Sequence, residues 1–151
     1  ILECLYSPLV ESATPLAQEL LAMRSVFLSK LIYQTYNGYI ISQFKKLSQD
    51  RRTTGNVKWK HVMHLFRLLI TGITALKEGY VPVRVEQFRP QLLNIREGKI
   101  PWADLDSWRM DLLQQFEAAY QTCGLPDRPE YEQVNRFLVK ARNSMVSRSV
   151  T

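Results

Sequence analysis

A chain of 151 residues with 46% apolar and 11% aromatic content has ample material for one packed core, which excludes a disordered or low-complexity protein. No apolar run approaches the ~18 residues of a membrane-spanning helix, and Ile1 to Ser7 lack the basic n-region of a signal peptide, so no membrane partner and a cytoplasmic location are expected. The formal net charge of +6 is concentrated in Lys45 to Arg67, where Lys45, Lys46, Arg51, Arg52, Lys58, Lys60 and Arg67 face a single Asp50 and the rest of the chain balances.

Taken in chain order, Ile1 to Tyr6 reads as a short strand ending at Ser7-Pro8. A strand with no partner in a helical chain would be the last one of a sheet lying upstream. Thr14-Pro15 is a cap followed by proline, and it opens a short helix to about Met23. From Ser29 to about Gln49 the spacing of Leu28, Ile32, Tyr36, Ile40, Phe44 and Leu47 predicts the first long helix, closed by a turn at Thr53-Thr54-Gly55-Asn56. A second long helix is predicted from about Val57 to Glu78, stopping at Gly79. Val81 to Val85 is at most a short extended segment, and about Pro90 to Glu97 is a short helix ending at Gly98. Pro101 opens a helix to about Thr122; Gly124, Pro126 and Pro129 break the chain; Glu130 to about Met145 is the last helix, before a polar tail that frays. The expected fold is mainly α, a helical bundle with a short N-terminal strand. Cys4 and Cys123 are too few for a disulfide framework and lack metal-ligand spacing, so both are expected to be buried free thiols.

The chemistry concentrates on the second long helix. At roughly 100° per residue, Trp59, Val62, Met63, Leu65, Phe66, Leu69, Ile70, Ile73 and Leu76 share one broad side, and Lys60, His64 and Arg67 lie in a narrow arc opposite, with His61 at its border. A merely solvated face would mix both charge signs, and this one has no carboxylate until Glu78. On the first long helix Tyr39, Gln43 and Lys46 follow i, i+4, i+7, with Ser42 beside them. If the two helices pack antiparallel, their Lys46 and Lys60 ends converge. Such a face offers cationic donors for phosphate oxygens, imidazoles that donate or accept, and a tyrosine for a base or hydroxyl contact. His61 and His64 could reach one metal ion, but no third ligand lies near them on that face, and no metal is expected in this chain. Asp104-Leu105-Asp106 has the form of a magnesium-binding pair, yet it falls in the first turn of a helix, where carboxylates favour the macrodipole. No nucleophile elbow, phosphate loop or dinucleotide fingerprint occurs, so no catalytic residues are expected here.

The run Lys60-His61-Val62-Met63-His64-Leu65-Phe66-Arg67-Leu68-Leu69 carries a family resemblance. With Leu5-Tyr6-Ser7-Pro8-Leu9-Val10, Tyr39 to Lys46, Val83-Arg84, Leu92-Leu93-Asn94-Ile95-Arg96-Glu97-Gly98 and Pro129-Glu130-Tyr131-Glu132-Gln133-Val134-Asn135, it resembles the C-terminal half of the nucleotidyltransferases of the DNA polymerase beta superfamily, in the bacterial and phage group associated with RNA repair. The resemblance implies a division of the chain into residues 1–13, the end of an upstream mixed α/β catalytic domain, residues 14–146, a helical C-terminal domain, and residues 147–151, a frayed tail. It implies that magnesium and a nucleoside triphosphate belong to the full-length enzyme, with none held by this chain alone, and that the partners are a nucleotide or RNA and the upstream catalytic domain. Nucleotide and phosphate contacts fall, by position in the matching run, to Lys60, His61, His64 and Arg67, followed by Lys46, Tyr39 and Ser42. The alternative is a helical module that binds an RNA or DNA backbone without a mononucleotide pocket. A helical ribonuclease with arginine four to six residues before its histidine is a further rival, but positions 54 to 59 contain no arginine.

Overall fold

The computed structural model describes the backbone of residues 2–148 and the side chains of residues 2–144. Seven α-helices run through it: α1 (Leu2–Leu5), α2 (Pro15–Ala22), α3 (Leu31–Thr54), α4 (Trp59–Glu78), α5 (Arg89–Arg96), α6 (Trp102–Thr122) and α7 (Tyr131–Arg148), with 3-10 turns at Arg24–Phe27 and Glu86–Phe88. No strand occurs among the described residues. The chain is mainly α, as the apolar periodicities predict.

α4 is the centre of the molecule. Its apolar side contributes Val62, Leu65, Phe66, Leu69, Ile70, Ile73 and Leu76 to a core shared with Ile40, Phe44 and Leu47 of α3, Leu92 and Ile95 of α5, and Leu105, Leu112, Phe116 and Ala119 of α6. Each large side chain shut away in this way stabilises the fold by roughly 1.5–3 kcal/mol. Two glycines shape the packing. Gly55 ends α3 in the left-handed conformation at φ 69°, with its N–H donating to the Arg51 carbonyl, which turns the chain back so that α4 packs beside α3. Gly72 lets α4 meet its neighbours closely, since a Cβ there would lie 2.8 Å from Cε2 of Phe116 and 3.1 Å from Cδ2 of Tyr36.

Most boundaries match expectation within a few residues. Thr14 caps α2 by accepting the Ala17 N–H, and Gly79 ends α4. The first long helix starts two residues late and runs on to Thr54, because Arg51 to Thr54 continue the helix until Gly55 stops it. α7 extends to Arg148, three residues beyond the expected end; of the expected tail at 147–151, residues 149–151 lie outside the described residues.

Two expectations are corrected. The segment Leu2 to Tyr6 is a helical turn: the Tyr6 N–H donates to the Leu2 carbonyl at 3.2 Å and the Ser7 N–H to the Cys4 carbonyl at 3.4 Å. Without a strand beside it, the backbone satisfies its own donors locally. The helical spacing also places Leu2 and Tyr6 together against a second apolar cluster formed by Leu28, Ile32, Ala75 and Val81, and Leu5 is buried. Arg24 secures the turn, with its guanidinium over the Tyr6 ring and Nη1 donating to the Leu5 carbonyl. Cys4 is exposed on this turn and Cys123 half-buried, both as free thiols, so neither is buried as expected. The turn presents Leu5 inward, which leaves the neighbouring Cys4 facing out.

Candidate functional site

α3 and α4 form an antiparallel pair, and the polar edges of the two helices meet along a groove. At one end a cleft of about 230 Å³ is lined by Gln43, Lys46, Leu47 and Asp50 of α3 and by Lys58 and His61 at the start of α4. His61 reaches across it, with its Nε2–H donating to Oε1 of Gln43 at 3.2 Å. This contact between residues 18 apart in sequence orients the imidazole and ties the two helices at the cleft.

One turn further along α4 the ring of His64 lies 6.5 Å from that of His61, centroid to centroid. Burial, followed by the charges of Arg67 and His61, holds the His64 imidazole below its ordinary 6.5. Arg67 ends the row. Its Nη2 donates to Oε1 of Glu3 at 2.8 Å, an ion pair that joins α1 to α4. Tyr36 of α3 belongs to the same cluster: burial, reinforced by the nearby Glu3 carboxylate, raises its phenol above 10.0, and the Arg67 charge partly offsets this.

The predicted side chains are thus divided. Lys46 and His61 share the cleft, whereas His64 and Arg67 lie along the groove beyond it. Tyr39 and Ser42 are exposed on α3, with the Ser42 hydroxyl donating to the Tyr39 carbonyl at 2.8 Å. Lys60 is exposed and does not line the cleft; Lys58, outside the helical register, converges with Lys46 in its place. The lysine precedes the first helical residue at φ −80°, ψ 74°, so helical periodicity does not predict its direction. Lys58, Asp50 and Glu3 are the residues that sequence reasoning did not single out. The concentrated charge of residues 45–67 signals the first two, and nothing local signals Glu3.

Bonds of roughly 2.0–2.1 Å to one ion would draw the two histidine rings closer than their observed separation. Among the described residues, no group of three or more His, Cys, Asp and Glu side chains could hold a metal ion. Asp106 is engaged by Arg109, whose Nε and Nη2 donate to Oδ1 at 3.0 and 2.6 Å, and Asp104 lies in the first turn of α6. No helix among the described residues is long and apolar enough to cross a membrane.

The groove gathers groups of both charge signs, with the cations in excess. Two ammonium groups converge on the cleft with an imidazole, an amide and the Asp50 carboxylate beside them, and the Arg67 guanidinium lies at the far end, paired with Glu3. No curated protein and no solved structure matches the chain. The model of the RNA repair pathway DNA polymerase beta family matches residues 1–140, nearly the whole sequence, and the chain belongs to that family.

Proposed function

We propose that this chain is the helical nucleotide-contacting module of a polymerase-beta-type nucleotidyltransferase, and that the groove between α3 and α4 holds the phosphates of a nucleotide or RNA. The observation that carries the proposal is the convergence of Lys46, Lys58 and His61 on one cleft, where the two ammonium groups outnumber the single Asp50 carboxylate. Membership of an RNA-repair polymerase-beta family supports it. Lys46 and Lys58 supply charge, Gln43 sets the orientation of His61, and His64 and Arg67 extend the groove towards α1. Lys60, Tyr39 and Ser42 serve as exposed contacts at its margin. In this reading magnesium and the transfer step belong to an upstream catalytic domain.

A backbone-binding module is the second reading, favoured by one specific observation. The cleft, at about 230 Å³, falls below the ~300–1,000 Å³ typical of pockets that enclose a small molecule. Calorimetric titration with ATP and with a 5′-phosphorylated RNA oligomer separates the two. A nucleotide site binds both with a shallow salt dependence, and Lys46→Ala with Lys58→Ala abolishes both. A backbone binder takes only the oligomer and weakens steeply with ionic strength. Binding of neither ligand, or binding indifferent to the two lysines, refutes the groove as a phosphate site.

A further inference from the structure

The Arg67 end of the groove already contains an anion. Glu3 extends a carboxylate oxygen to 2.8 Å from Nη2 of Arg67, and the electrostatic influence of the pair reaches both Tyr36 and His64. A carboxylate oxygen and a phosphate oxygen make the same demand of a guanidinium, namely charge-assisted acceptance of its N–H groups. We infer that Glu3 is an internal occupant of a phosphate subsite at Arg67, and that its carboxylate is an autoinhibitory contact displaced when a phosphate takes its place. This inference rests on the proposed phosphate-binding role of the groove.

Three features make the contact suited to exchange. Both partners are partly in solvent, with side-chain exposures of 31% for Arg67 and 47% for Glu3, so the pair is weak enough to open. α1 is a single turn held by Leu5, Tyr6 and Arg24, and none of these contacts requires Glu3. The carboxylate can therefore swing away by side-chain rotation while the turn stays docked. Beyond Arg67, the Tyr36 phenol and the His64 imidazole lie within electrostatic reach of the same pair, and both carry donors that a phosphate could use. The ligand class is a phosphate group that enters the groove from the Lys46 and Lys58 end, as in the triphosphate of a nucleotide or successive phosphates of RNA.

The test is a calorimetric titration of the whole chain with inorganic triphosphate at fixed low ionic strength. Glu3→Gln should tighten binding by about two- to fivefold, the scale of a part-exposed ion pair. Glu132→Gln on α7 makes the same change in net charge and should fall well short of that. In an Arg67→Ala background the gain from Glu3→Gln should vanish. Equal tightening by Glu3→Gln and Glu132→Gln, or a gain that survives the loss of Arg67, overturns the inference as a general charge effect. If the chain binds triphosphate through Lys46 and Lys58 and Glu3→Gln changes nothing, the autoinhibitory contact is wrong while the groove stands as a phosphate site. Failure of both the native chain and Glu3→Gln to bind triphosphate overturns both. Circular dichroism checks that each variant keeps its helix content.

Discussion

On one side of α4, Val62, Leu65, Phe66 and Leu69 are closed off from solvent by α3, α5 and α6, whereas on the other His61, His64 and Arg67 stay half-exposed along a groove. One helix thus serves two purposes. The apolar side derives its energy from area removed from water and tolerates little change in volume. The polar side spends little stability on its arrangement: its ion pair is part-exposed and its histidines are only half-covered, so its groups can change partners. The difference implies that substitutions on the two sides should separate stability from binding.

The largest effect is expected where the apolar side is deepest. Phe116→Ala should destabilise the chain by about 3–5 kcal/mol in urea unfolding, because Phe116 is fully buried against α4 and the cavity left behind collapses only in part. A loss below about 1 kcal/mol would break the contrast. Next comes the cleft. Lys46→Ala with Lys58→Ala should weaken ATP or RNA binding by about a hundredfold or more, as each charged hydrogen bond contributes ~1.5–3 kcal/mol, while the urea midpoint barely moves.

A smaller change tests the close approach of the helices. Gly72→Ala removes a poor helix former, which favours α4 by roughly 1 kcal/mol, but its Cβ would meet Phe116 at 2.8 Å, and overpacking costs ~1–3 kcal/mol. The net outcome should be a lower melting temperature; a rise would show that the Phe116 ring yields freely. Arg67→Ala should cost no more than about 1 kcal/mol, the limit for an exposed ion pair. A loss on the scale of Phe116→Ala would mean that the Glu3 contact is structural instead of exchangeable.

The most modest effect concerns pH. The folded state holds His64 below its ordinary value, so the unfolded chain binds the proton more readily. Stability from neutral His64 is therefore fully present above pH 6.5 and is lost as pH falls through the lower folded value. Urea midpoints measured from pH 7.5 to pH 5 should decline, and His64→Gln should flatten that slope. An unchanged slope would assign the decline to other groups.

Much of this arrangement was legible in the residues themselves. The apolar spacing of α3 and α4, the Thr14 cap and the glycines at 55 and 79 are local signals, and local signals determine where helices begin, end and turn their greasy side. The basic stretch from Lys45 to Arg67 likewise marked the groove region, because charges on two helices joined by a short turn must lie near one another. Tertiary packing decided the rest. Lys58 lies outside the helical register, so only the docked pair of helices shows that it, and not Lys60, meets Lys46. Leu2 to Tyr6 has the composition of a strand but folds as a turn, since its neighbours offer an apolar cluster and no ladder of hydrogen bonds. The pairing of Glu3 with Arg67 spans 64 residues, and no periodicity within either helix encodes a contact that depends on where α1 docks.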